Sequence, residues 1–243
     1  MTNTDAALAA YVSGLEERMD DLVAGFLAEG FVELPEFGPP EVGKRIADDV
    51  LRLLDERGEH RQVTIASTGH TPRHMEVVGR DAIVDGSAVI PETYHSPAFR
   101  DFLARLTKEP EIIPVPYAPE EMVISRLSQQ GETHGWHWDD YPYAVVWIVD
   151  APPSAEDGGS LEYVRGTHWD KERPRVEEQL RTGVVERRHP APGSIYLFKA
   201  DTSMHRVAPL VADGVQRVIV CFSYATAADL ERAVTHETVD FYS

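Results

Sequence analysis

The chain has 243 residues, of which 42% are hydrophobic and 26% charged, and its formal net charge is −18. That length buries roughly 70% or more of the unfolded surface, enough for one core without covalent staples. The acidic field repels nucleic-acid phosphates and anionic lipid, no apolar run approaches the roughly 20 residues of a membrane span, and a single cysteine, Cys221, excludes an intrachain disulfide framework. The opening MTNTDAALAAYVSGLEERMDD lacks the basic and apolar regions of a signal peptide. The expectation is one domain over residues 1–243 in a reducing cytoplasm, with no nucleic-acid or membrane partner and a homodimer as one option for its assembly.

The first sixty residues predict helices. Leu8, Tyr11, Val12, Leu15, Met19, Leu22, Val23 and Phe26 recur at helical spacing, and so do Val42, Ile46, Val50, Leu53 and Leu54 after the Gly38-Pro39-Pro40 break. A third helix is predicted over Ser96–Lys108, where serine suits the cap and Pro97 the first turn. From Glu121 the period shortens to that of strands: Met122–Leu127, Tyr143–Val149, Ser160–Val164, Val184–Arg188, Ser194–Lys199, Arg206–Leu210 and Val215–Tyr224. Turn residues separate several of these, as at Asp157-Gly158-Gly159, Ala191-Pro192-Gly193 and Asp213-Gly214. Many short strands with regular turns predict a mainly β fold, a double-stranded β-helix (jelly roll, cupin-like) core over about 121–224, with the N-terminal helices packed on one side. Within the apolar run Val218–Phe222, Cys221 reads as a buried small hydrophobe.

The chemistry concentrates in His134-Gly135-Trp136-His137-Trp138-Asp139-Asp140. Residues two apart in a strand share a face, so His137 and Asp139 can offer an imidazole nitrogen and a carboxylate oxygen to one point. His205 is the best third ligand. Two histidines and one carboxylate leave open positions on the metal, the facial triad of non-haem iron oxygenases, where a cosubstrate and dioxygen bind. Arg217 lies in the apolar strand Gln216-Arg217-Val218-Ile219-Val220, where a guanidinium is costly unless an anion meets it. An internal salt bridge would serve; beside the histidines, the distal carboxylate of 2-oxoglutarate is the better partner for its planar fork.

In this order, His137-Trp138-Asp139, His205 and Arg217 resemble the iron(II)/2-oxoglutarate oxygenases with a double-stranded β-helix core. The stretch HGWHWDDYPYAVVWIVDAP (134–152), Gly158-Gly159-Ser160 and Gly166-Thr167-His168-Trp169-Asp170-Lys171 are similar to a narrower group, the free-amino-acid (lysine-type) radical halogenases and their hydroxylase relatives. The resemblance implies Fe(II), 2-oxoglutarate and O2 as cofactors and a free cationic amino acid (lysine, ornithine or arginine type) as substrate, with succinate and carbon dioxide released. The halogenases of this group carry glycine where this chain has Asp139. The carboxylate removes the site that chloride would take, so hydroxylation is expected.

By the same resemblance, Arg73 or His74 and His134 would hold the substrate carboxylate, and Glu120 and Asp140 its ammonium groups. Asp140 alternates with Asp139, so its role requires a bend or bulge. Late in the last strand the chain has Cys221 and Ser223 where lysine-acting members place an amide and a hydroxyl; Ser223 is the expected substrate contact, and cysteine is a poor acceptor for an ammonium. Phe241 and Tyr242 are candidates for an aromatic lid. His60, His70, His95, His189 and His236 read as solvated, and His168 as packing. The rival readings are a halogenase-like or other small-molecule 2-oxoglutarate oxygenase, a zinc enzyme using the same triad, and a metal-binding jelly roll without oxygenase activity.

Overall fold

The helical stripe at the N-terminus folds as two helices. Gly14 ends α1 (Asn3–Ser13), a short 3-10 turn follows at Glu16–Arg18, and α2 spans Met19–Glu29. The computed structural model describes residues 2–34, 38–236 and 241. Among these residues five further helices follow: α3 (Pro40–Arg57), α4 (Arg80–Gly86), α5 (Val89–Tyr94), α6 (Pro97–Thr107) and α7 (Val176–Thr182). Ser96 caps α6 by accepting a hydrogen bond from the Phe99 amide at 3.2 Å, and its own hydroxyl donates to Asp5 Oδ1 at 2.6 Å, which ties α6 to α1.

Among the described residues, twelve strands form one sheet: β1 (Phe31–Leu34), β2 (Glu59–Thr64), β3 (Pro72–Val78), β4 (Ile113–Pro114), β5 (Met122–Leu127), β6 (Thr133–His137), β7 (Tyr143–Asp150), β8 (Leu161–Arg165), β9 (Glu186–Arg188), β10 (Ile195–Lys199), β11 (Ser203–Val207) and β12 (Arg217–Ala225). Their order is β1-β10-β7-β12-β5-β3-β6-β11-β8-β9, with β2 on β3, β4 on β12 and antiparallel pairing throughout. Strands β5, β12, β7 and β10 make one wall and β6, β11, β8 and β9 the other, while β3 pairs with both β5 and β6. The chain alternates between the walls as it runs, which is the double-stranded β-helix.

Period-two alternation decides what each face of β12 does. Val218, Val220, Phe222 and Tyr224 pack with residues of α1, α2, α3, α5 and α6 in the main core, whereas Arg217, Ile219, Cys221 and Ser223 face a cavity between the walls. Helices α1–α6 therefore cover one side of one wall, Val176 of α7 packs with the outer face of the other, and the cavity keeps the polar residues of β12.

Several predicted boundaries move. Residues 1–60 are not wholly helical, because β1 lies at 31–34 and β2 opens at Glu59. The strand expected at Arg206–Leu210 runs from Ser203 to Val207, and the one expected from Val184 starts at Glu186. Pairing with β8 at Ser203↔Arg165 through Val207↔Leu161 sets the first of these limits.

Strand β6 lies tight against the start of β3 at Gly135. A Cβ there would lie 2.5 Å from the Pro72 carbonyl oxygen and 2.9 Å from Thr71 Cβ. Gly135→Ala should therefore destabilise the fold by about 1–3 kcal/mol. At roughly 2–4 °C per kcal/mol for a chain of this size, a thermal melt will resolve the change. An unaltered midpoint would mean that β3 yields without cost.

Candidate active site

His205 and His137 stand directly opposite each other on the neighbouring strands β11 and β6. The His137 Nδ1–H donates to the Gly135 carbonyl at 2.7 Å and the His205 Nδ1–H to the Ser203 carbonyl at 2.9 Å. That tautomer leaves each Nε2 with a lone pair toward the space between them. Asp139 Oδ1 lies 3.6 Å from both Nε2 atoms. The predicted alternation is only partly kept, since β6 ends at His137 and Asp139 stands just beyond it, its amide donating to the Ala200 carbonyl at 3.3 Å. Trp138, between the two ligands, turns away and donates through its indole N–H to Thr167 Oγ1 at 2.9 Å.

Burial shifts the two histidines in the direction that metal binding uses and Asp139 in the opposite one. Desolvation holds His137 well below the ordinary imidazole range, with the nearby His134 and His205 adding to it, and it lowers His205 too. Both rings are thus neutral donors. Desolvation raises Asp139, opposed by His205; a cation at this point would restore the charged carboxylate. Donor atoms of all three lie within 4.8 Å of one another and border the cavity, which suits a divalent ion with positions left open on the cavity side.

Arg217 is 3% exposed and points into the same cavity from β12. It donates to the Tyr196 phenol oxygen at 3.4 Å, and among the described residues no carboxylate lies within ion-pair distance. A neutral phenol cannot balance a buried guanidinium, so the position calls for an anion. Burial, first, pushes the Tyr196 phenol up to about 12, so it keeps its proton and can donate it to that same anion. Sequence reading missed Tyr196; the alternation of β10 against the Arg217 face of β12 was the available signal.

Arg73 is fully buried and borders the cavity, paired across strands with His134. His74, its neighbour, belongs to the other face of β3 and is not among the described residues lining the cavity. Of the two residues, Arg73 is the one on the cavity face. The His134 ring stacks on His137 at 3.8 Å and burial, then Arg73, lowers its pKa well below normal. Phe241 lies under both, 6.0 Å from the His134 ring and 5.6 Å from the Arg73 guanidinium carbon. Tyr242, the other lid candidate, lies outside the described residues.

Beyond Asp139 the chain bends before β7, and this bend brings Asp140 to the cavity alongside Glu120. Asp140 Oδ1 meets Lys171 Nζ at 2.6 Å and Glu120 Oε1 meets His236 Nδ1 at 3.0 Å. His236 is therefore not solvated as its polar surroundings suggested; its ring stacks on Tyr117 at 3.8 Å. His189 is also engaged, between Ser160 Oγ and the Pro152 carbonyl. Ser223 and Cys221 both line the cavity. Cys221 is only partly buried there, because its strand turns that face inward to the site and not to the helices. Its thiol pKa is raised by burial.

A double-stranded β-helix with two histidines and a carboxylate over a cavity is the architecture of 2-oxoglutarate/iron oxygenases, and solved structures of that class share the fold. AviO1 from Streptomyces viridochromogenes Tue57 is similar at 17% identity and a TM-score of 0.66, over 86% of this chain and 96% of that one. An oxidoreductase of the 2OG-Fe(II) oxygenase family from Burkholderia pseudomallei is similar at 16% identity and 0.58, over 85% and 90%. A prolyl hydroxylase from Trichoplax adhaerens is similar at 14% and 0.60, over 91% and 96%. No curated protein matches by sequence. The family model described as halogenase D matches residues 15–242, and the chain belongs to that family.

Proposed function

We propose that this chain is an Fe(II)- and 2-oxoglutarate-dependent hydroxylase acting on an unactivated C–H bond of a free cationic amino acid. The observation that carries hydroxylation over halogenation is Asp139, whose carboxylate stands 3.6 Å from both histidine Nε2 atoms. A halide would need that place on the metal. Iron with 2-oxoglutarate and dioxygen supplies the oxidising power, with succinate and carbon dioxide as the expended products.

The chain's own residues bind, orient and exclude water. His137, Asp139 and His205 would hold the iron. Arg217 would grip the far carboxylate of 2-oxoglutarate, with Tyr196 donating beside it. Arg73 and His134 would take the substrate carboxylate, Glu120 and Asp140 its ammonium groups, and Ser223 would meet the substrate along the wall. Apolar neighbours Val146, Leu161, Phe198 and Ile219 keep the reacting carbon out of bulk water. The test is a screen of free amino acids with iron, 2-oxoglutarate and air. Succinate release coupled to a product with one added oxygen is expected for lysine, ornithine or arginine, and release with none of them would remove the reading.

Two substitutions separate the roles. Arg217→Lys keeps the charge and loses the fork, so the apparent KM for 2-oxoglutarate should rise about tenfold or more, an effect of roughly 1.4 kcal/mol, while that for the amino acid moves little. Tyr196→Phe should raise it less, in line with one hydrogen bond of about 0.5–1.5 kcal/mol. Equal rises for cosubstrate and substrate would mean that these groups shape the cavity and do not grip the anion.

A further inference from the structure

Asp140 borders the cavity, yet the chain already sets a primary ammonium on it. Lys171 Nζ lies 2.6 Å from Asp140 Oδ1; the carboxylate side chain is 3% exposed and the lysine side chain 23%. Lys171 comes from the irregular stretch 166–175 that joins β8 to α7. Its ammonium has other company as well. It donates to the Thr235 carbonyl and sits 4.2 Å from the Trp169 ring centroid, and that ring is pinned by its own N–H to the Ser67 carbonyl at 2.6 Å.

We propose that Lys171 is a specificity-determining residue of the cationic subsite: its ε-ammonium and the ammonium of the substrate compete for the Asp140 carboxylate. The inference rests on the reading above of Asp140 as an ammonium receptor. A carboxylate that holds an alkylammonium at 2.6 Å is already shaped for the same group on a free amino acid. Two ammonium groups crowded on one buried carboxylate repel in a low-dielectric setting, so the arrival of one favours release of the other. Lys171 has somewhere to go, because the Thr235 carbonyl and the face of Trp169 can keep its charge when Asp140 is taken. A neutral side chain gains nothing from this exchange. Lys171 thereby sets how strong a cation must be to enter, and it couples entry to the loop that carries it.

Two measurements test this on the iron- and 2-oxoglutarate-loaded protein without oxygen. In the first, acylation of Lys171 is followed by mass spectrometry. Saturating lysine should raise its reactivity several-fold, and norleucine should leave it unchanged. In the second, calorimetry compares Lys171→Met with the unsubstituted chain. The variant should bind lysine about tenfold more tightly and norleucine no differently. Lys171 staying protected while lysine binds would overturn the proposal and leave the functional reading in place. So would a variant that weakens both ligands alike, since Lys171 would then be a brace for its loop. If the unsubstituted chain shows no preference for lysine over norleucine, the functional reading falls and the proposal with it.

Discussion

Replacing His205 by alanine should lower turnover by about a thousandfold or more, equivalent to roughly 4 kcal/mol of barrier at about 1.4 kcal/mol per decade. His205 sits opposite His137 on adjoining strands, and its Nε2 is one of the two nitrogens 3.6 Å from Asp139. Removing it leaves one imidazole and one carboxylate, too few to hold an ion on one face. The fold should survive, because the ring lies at the cavity and not in the helix-covered core. Metal analysis after dialysis provides the check: iron per chain should fall sharply while the melting midpoint stays within a few degrees. Iron retained at the original stoichiometry would show that another side chain supplies the third bond.

A comparably large effect is expected from the substrate's side. Norleucine has the carbon skeleton of lysine and lacks its terminal charge. Leaving the buried Asp140 and the half-buried Glu120 without that cation should cost about 3–5 kcal/mol, or between two and four decades in kcat/KM. Lys171 on Asp140 and His236 on Glu120 offset part of the cost, so the lower end of that range is the expected value. Competing the two amino acids in one reaction and comparing product ratios measures the discrimination directly. Equal consumption would mean that the acids serve the loops around them and not the substrate.

The parts of this design visible in sequence are those that follow from period two within a strand. Arg217 and Ser223 could be placed on one face of β12 because six positions separate them, and the core-facing set Val218, Val220, Phe222 and Tyr224 follows from the same count. His137 and Asp139 were legible as a pair for the same reason, although the strand stops between them. What stayed hidden depends on pairing between distant segments. Strands β2 and β3 carry Glu59-His60-Arg61-Gln62 and a polar Arg73-His74 pair, so neither shows a clean apolar alternation. The placement of Arg73 beside His134 at the cavity follows from the register Arg73↔His134, which no local pattern reveals. The limits of β11 were misread because Met204 packs outward with Trp136 and Val176, so the strand has apolar residues on its outer side too. Lys171 and His236 reach the cavity acids from loops, His236 across 116 residues of chain. Loop side chains carry no period, and only the folded arrangement brings them to Asp140 and Glu120.

Halogenase D membership and the Asp139 carboxylate make opposite forecasts for the product, so the product's composition decides between them. The unsubstituted chain should be run with iron, 2-oxoglutarate, air and an accepted amino acid in chloride-rich buffer, and the product weighed by mass spectrometry. The account predicts the gain of one oxygen atom, taken from dioxygen when isotopically labelled gas is used, with no chlorinated species. A chlorinated product with no hydroxylated one would contradict it.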